Sequence, residues 1–250
     1  MRLYLFTLLA AVVLVCNFPA LAQSADTLTA DNTVGGPYPR AMVQAAPVKV
    51  GTDKTPTTLQ FQWDPKGQSG MLAIADIISY GGPFPVIAAP DGWNLIRDDA
   101  DRLTTRQTLY WHVMDSDDPA TLTWSFNQAV DAEGAIVLLE NASTAAPIDA
   151  TSGNIDNGWE LTASSALTTT SGDLILSFDS SDFGASANYD GVIGPGQVFP
   201  DNVNTIVNQD WAEPYWILGA WQTTQGETGD IVSNGVQLGR WIASQVAVRR

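Results

Sequence analysis

Apolar side chains recur at every second residue along much of this chain, a period that suits a strand lying on a core and no helix. In TTLQFQW, residues 57 to 63, Leu59, Phe61 and Trp63 fall on one face while Thr58, Gln60 and Gln62 fall on the other. ATLTWSF does the same, with Ala120, Leu122, Trp124 and Phe126 inward and Thr121, Thr123 and Ser125 outward. MLAIADIISY, QTLYWHVM, GAIVLLEN, DLILSFDS, YWILGAWQTT and WIASQVAV read as further strands, separated by Gly, Pro, Asp and Asn clusters. Helix signals are nearly absent. A dozen or so short strands without helices predict an all-β fold, a jelly-roll-like antiparallel β-sandwich.

The sandwich is predicted to consist of two related halves. PDGWNLI at 90 to 96 returns as PDNVNTI at 200 to 206, with Pro, Asp, Asn and Ile at matching offsets. GMLAIADI at 70 to 77 parallels GDLILSFD at 172 to 179, and Tyr-Trp pairs follow at 110 and 215. Order is kept while loop lengths differ, as expected when surface loops tolerate insertions that strands do not. The turn has a physical reading too: Pro90 presets φ, Asp91 can bond its own backbone, and Gly92 accepts the left-handed conformation. Trp93 is then delivered toward the core. Asn202 replaces Gly92 and Val203 replaces Trp93 in the second copy, changes that keep shape and alter size. This points to a duplicated fold rather than a duplicated site.

The chain opens MRLYLFTLLAAVVLVCNFPALAQS, with a positive start at Arg2, an apolar run from Leu3 to Cys16 and a small-residue site at Ala20-Leu21-Ala22. This reads as a secretory signal peptide cleaved between Ala22 and Gln23. The run is too short for a comfortable membrane span, so no membrane insertion is expected after its removal. Cys16 leaves with it, and disulfides, thiolate metal sites and Cys nucleophiles are excluded together. Without Arg2, ten basic residues face 27 acidic ones, a net charge of −17 that makes nucleic acid and anionic membranes poor partners. Residues 23 to 45 read as an extended lead-in and 46 to 250 as one sandwich domain. The expected location is secreted, periplasmic or cell-surface.

Taken in order, the segments GMLAIADI, APDGWNLI, LYWHVMDSDDPATLTWSF, EGAIVLLENAS, APIDATSG and TTTSGDLILSF resemble the β-sandwich modules of bacterial secreted and cell-surface proteins and of phage tail or receptor-binding proteins. The resemblance spans about residues 50 to 250. Met71 stands where those modules usually carry Asp, and Glu140-Asn141 where they carry Arg-Gly. The resemblance implies a non-enzymatic display or binding module with no catalytic residue to carry over.

His112 is the only histidine, so a histidine cage or Ser-His-Asp relay has nothing else to build on. Alternating with Trp111 and Val113, it is read as an exposed strand residue opposite the buried face. DSDDP offers Asp115, Asp117 and Asp118 as hard oxygen ligands for calcium, but lacks an EF-hand's spaced acids and closing Glu, and is read as a solvated turn. RDDAD at 97 to 101 is equally ambiguous. No cofactor is expected beyond that calcium candidate. The 27 acidic residues leave a glycosidase carboxylate pair open by count, with no motif singling one out. Trp63, Trp93, Trp124 and Trp241 read as core. Trp159 in NIDNGWEL and Trp211 in NQDWAEPYW, with the nearby Tyr215, are read as loop aromatics able to stack on sugar rings. The leading expectation is a non-enzymatic module for adhesion, glycan contact or structural assembly. A carbohydrate-active enzyme on the same scaffold and a subunit of a larger surface or virion-like assembly are the alternatives.

Overall fold

The computed structural model describes residues 40–50, 57–62, 67–80, 85–101, 103–181, 197–198, 207–208 and 215–250, of which 40–50, 197–198, 207–208, 215–220 and 234–237 are described by their backbone. The Ala22–Gln23 cleavage site, Trp63, Trp211 and the PDNVNTI turn lie outside the described residues. Among the described residues there is no α-helix. The strands are β1 (Arg40–Val50), β2 (Thr58–Gln62), β3 (Leu72–Tyr80), β4 (Ile87–Ala88), β5 (Asn94–Ala100), β6 (Thr105–Val113), β7 (Thr121–Phe126), β8 (Asp131–Glu140), β9 (Ile148–Ala163), β10 (Leu167–Thr168), β11 (Asp173–Ser181), β12 (Gln197–Val198), β13 (Val207–Asn208), β14 (Tyr215–Gln222), β15 (Gly226–Glu227) and β16 (Ile231–Val248). Residues 40 to 45, expected in the lead-in, belong to β1 and pair with β8.

Every sheet is antiparallel, and the protein is an all-β sandwich. The first large sheet has the order β1-β8-β3-β6-β5, beside a small sheet β2-β7-β4. The second has the order β12-β14-β11-β16-β9 with β13 also on β14, and β10 pairs β15. Read from its β9 edge, the second large sheet repeats the first. β9, β16, β11, β14 and β13 stand where β1, β8, β3, β6 and β5 stand.

The register repeats as well. Leu59 faces Trp124 and Phe61 faces Leu122 in the first half; Leu161 faces Ser233 and Ala163 faces Ile231 in the second. Position 161 is 102 beyond 59, and 233 is 109 beyond 124. The same two separations carry the pair Leu72–Leu139 onto Leu174–Val248. A separation of 108 carries Val113, opposite Leu72, onto Trp221, opposite Leu174. For the edge strands it is 110, since Asp98 faces Thr108 and Asn208 faces Trp216. That is also the sequence spacing of PDGWNLI and PDNVNTI. Because a one-residue slip sends every side chain of a strand to the wrong face, independent strands would not agree on register this way. Gly70 and Gly172 mark the same corner: φ is +86° and +85°, and their N–H groups donate to Met114 O at 2.8 Å and Gln222 O at 2.7 Å. The Tyr-Trp pairs are not equivalent. Trp111 lies opposite Ile74, and the matching position opposite Leu176 is Gly219, three residues past Trp216.

The two large sheets pack face to face over Leu72, Ile74, Ile78, Leu109, Val137 and Leu139 from one and Leu174, Leu176, Phe178, Trp221, Val246 and Val248 from the other. Each sheet is covered on its far side too. β2, β7 and β4 lay Leu59, Phe61, Leu122, Trp124 and Phe126 on Ala73, Ala75, Ile77, Ile136 and Leu138. In the second half the cover comes from β9 and β16 themselves. Ser152 Oγ, near the start of β9, donates to Ser164 O just past its end, although twelve residues of straight strand span about 40 Å. The strand therefore folds back. The turning point is Gly158, opposite Gly239, where residues 235–238 bulge out of β16. Beyond it Leu161, Ala163 and Ile231 cover Ile175, Ala243 and Ala247. Double-sided cover explains why β3 and β11 are buried along their whole length.

Candidate binding surface

The expected PDG turn forms with Gly92 at φ +84° and Trp93 N–H donating to Pro90 O at 3.3 Å. Trp93 meets Trp124 edge-on, with ring centroids 5.0 Å apart, and stacks on His112 at 5.4 Å. His112 is therefore not the exposed strand residue expected from its alternation with Trp111. That expectation assumed one solvent face, whereas here the His112 face is the covered one, between the buried Tyr110 and Met114. Its Nδ1 lies 3.0 Å from Gly92 O, and its Nε2 lies 3.1 and 3.0 Å from the Asp118 carboxylate oxygens.

The acidic runs are tied into the scaffold. Asp118 also accepts the Asp115 N–H at 2.7 Å, and Asp115 accepts the Asp117 N–H at 3.1 Å, so DSDDP is a self-bonded turn. In RDDAD, Arg97 holds Asp99 at 2.8 Å and Arg106 holds Asp98 at 2.5 Å. Asp101 accepts the N–H groups of Leu103, Thr104 and Thr105 at 2.8 to 3.0 Å. These bonds outweigh partial burial and hold its carboxyl below the usual range. Among the described residues no group of three or more His, Cys, Asp or Glu side chains is placed to hold a metal ion.

Carboxylates missed by the motif reading lie inside the strands. Asp76 is fully buried; one oxygen accepts from Gln107 Nε2 at 3.1 Å and the other has no partner among the described residues. Burial, and secondarily the nearby Glu133, push its carboxyl well above the usual range. Glu133 accepts from Tyr80 OH at 2.5 Å. Asp179, also fully buried, accepts from Ser177 Oγ at 3.0 Å and Ser233 Oγ at 2.8 Å, and burial pushes it up to about 7. Asp173, buried and close to Asp149, is likewise pushed up to about 7. Asp149 goes the other way: burial opposes ionisation, but Thr169 and Arg249, the latter at 2.6 Å, hold it far below the usual range. The available signal was an acid inside the otherwise apolar runs LAIADIISY and LILSFDSS.

Exposed apolar side chains collect at the β9–β16 bend. Trp159 is 56% exposed and follows Gly158; Leu238, 57% exposed, precedes Gly239, its partner in register. Arg240 lies 4.0 Å from Asp101, which brings the β5–β6 connection and its exposed Leu103 to the same end. Ile155 stands on the same strand as Trp159. Trp159 was expected in a loop; it sits on a strand at a fold-back, because a polar run with glycine at its centre suits an edge strand that must turn. Tyr215 opens β14 opposite Ser180. The free side of β9 is partly self-capped: Ile155 N–H donates to Asn154 Oδ1 at 2.9 Å and Asn157 N–H to Asp156 Oδ1 at 2.7 Å. Such local bonds compete with a strand added from outside.

Comparison of the chain with protein-family models, with curated proteins and with solved structures finds no match. No helix among the described residues is long and apolar enough to cross a membrane.

Proposed function

We propose that this protein is a non-enzymatic, exported binding module, secreted, periplasmic or held at the cell surface, which contacts a glycan through the ledge at the β9–β16 bend. The observation that carries the reading is Trp159, more than half exposed at the fold-back of β9 between Gly158 and Glu160, which pair with Gly239 and Asn234 of β16. An indole flanked by paired backbone positions offers an apolar face to a sugar ring, and Asn157, Asp156 and Glu160 beside it supply polar partners. The buried carboxylates Asp76, Asp173 and Asp179 have no access to substrate, which favours binding over hydrolysis. The self-capped edge of β9 favours side-chain contact over assembly by strand addition. The nested pairing of first with last, second with seventh and third with sixth strand in the first half supports a jelly-roll winding. The net charge directs the ledge to neutral rather than anionic polymers.

The test is a screen of the chain lacking residues 1–22 against neutral and anionic polysaccharides, with Trp159→Ala alongside. Binding to a neutral polymer, weakened about tenfold or more by Trp159→Ala (about 1.4 kcal/mol), is the expected result. Equal binding by both proteins, or no binding by a folded wild type, overturns the proposal.

A further inference from the structure

We propose that His112 is a proton-operated latch for the turn that carries Trp93. The two ring nitrogens face oxygen atoms on opposite sides: Gly92 O at 3.0 Å from Nδ1, and the Asp118 carboxylate at 3.0 and 3.1 Å from Nε2. A carbonyl and an ionised carboxylate only accept, and a neutral imidazole has one donor and one acceptor nitrogen. Only the imidazolium donates to both. Flipping the ring would place C–H groups against both oxygens, so the orientation follows from the partners.

What the proton holds is specific. Gly92 is the left-handed residue of the turn, and a Cβ there would lie 3.1 Å from His112 Cε1, so turn and ring are in close contact. Trp93 stacks on the same ring at 27° between planes, a geometry that favours a cation beneath the indole. Through Trp93 the latch reaches Trp124 and so the cover of the first sheet. Among the described residues, the titratable groups closest to the ring along the chain are Asp118 against it, Asp115 and Asp117 in the same β6–β7 connection, Asp91 in the turn, and the Tyr110 phenol two residues back on the same face of β6. β3 places Ala73 opposite His112, and β5 places Asn94 opposite Trp111, so neither adds a charge there. When the ring is neutral, one nitrogen turns a lone pair toward an oxygen lone pair. Asp118 is the stronger acceptor and keeps the remaining proton, so the Gly92 contact is the one released.

The chain has a single histidine, so its imidazole signals are unique in an NMR spectrum. On the folded, 15N-labelled protein, lowering the pH is expected to bring up two slowly exchanging ring N–H signals. Raising it is expected to move the Gly92 and Trp93 backbone signals with the same midpoint as the ring, with amide exchange in the turn at least several-fold faster. Asp118→Asn is expected to speed exchange of the ring N–H that faces position 118, while His112→Gln leaves the turn signals without a transition. A single ring N–H in the protonated state, or turn signals that stay fixed while the ring titrates, overturns the proposal. If His112→Gln does not fold, the wild-type titration and Asp118→Asn still decide it.

Discussion

The two halves hang different chemistry on one framework. In the first, the layer between the large sheet and its cover is apolar, built on Ala75, Ile77, Trp124 and Ile136. The registered positions in the second half are Ser177, Asp179, Ser233 and Gln245, all buried, with both serines bonded to the aspartate. Between the two large sheets the assignment is reversed. Asp76 and Glu133 come from the first half, while their counterparts Phe178 and Ile242 are apolar. Backbone pairing therefore tolerates either an apolar interior or one that carries buried polar groups, fully bonded at Asp179 and partly bonded at Asp76. The two halves share strand order and register while their layers differ.

The largest expected effect comes from giving the first half the residue of the second. Trp124 is fully buried and meets both Phe61 and Trp93, so Trp124→Ser should lower unfolding free energy by about 4 kcal/mol, read by urea denaturation. Ser233→Ala, at the matching position, should cost about 1 to 2 kcal/mol and chiefly at a pH where Asp179 is ionised.

Next in size is a pH dependence opposite to ordinary acid unfolding. Asp179 is pushed from 3.8 up to about 7, so between those values the folded protein holds a proton that the unfolded chain has lost. Stability from this group is complete below about pH 4 and is lost as pH rises through 7, by up to about 4 kcal/mol. Asp173, also pushed up to about 7, and Asp76 act in the same direction, and Asp149 opposes them at the acid end. Thermal unfolding is expected at lower temperature at pH 8.5 than at pH 5.5, and Asp179→Asn should reduce the difference, with Asp173 and Asp76 supplying the remainder. A wild type equally stable at both values would contradict this.

Glycine exchange is smaller. A Cβ on Gly134 would lie 2.6 Å from the Asp76 carbonyl oxygen and 3.1 Å from Phe61. Gly134→Ala should therefore cost about 2 to 3 kcal/mol. Its counterpart Ala243 already carries that methyl, and Ala243→Gly should cost only about 1 kcal/mol. The smallest effect is at the β9 edge. Asn154→Ala with Asp156→Ala should change stability by less than about 1 kcal/mol yet raise concentration-dependent association, seen by light scattering.

Much of this was legible from residues alone. Alternation placed β2 and β7, and Leu59, Phe61, Leu122 and Trp124 are buried as expected. The doubling was visible because turn residues are constrained by backbone conformation, as at Gly70 and Gly172. The Tyr-Trp match misled because residue identity at a strand position reflects local volume, and only hydrogen-bond register tells which positions are equivalent. His112 was misplaced for the same reason that Asp179 was overlooked. A period of two cannot distinguish a strand with one wet face from one covered on both sides. Trp159 was recognised from its polar setting, but Leu238 became relevant only once Gly158 and Gly239, the residues next to each, were found opposite one another.

Equivalence of register is accessible by cross-linking, since Cys16 is the only cysteine and Cys16→Ser leaves none. Gln60 faces Thr123 in the first half, and Thr162 faces Val232 in the second, by the separations of 102 and 109. Residues directly opposite on antiparallel strands are within disulfide reach, about 4.5 to 5.5 Å between Cα atoms. Cysteine pairs at both places should oxidise spontaneously, whereas pairing either position with the residue next to its partner should not, as read by intact mass. Bond formation at 60 and 123 with none at 162 and 232 would show that the halves do not share a register.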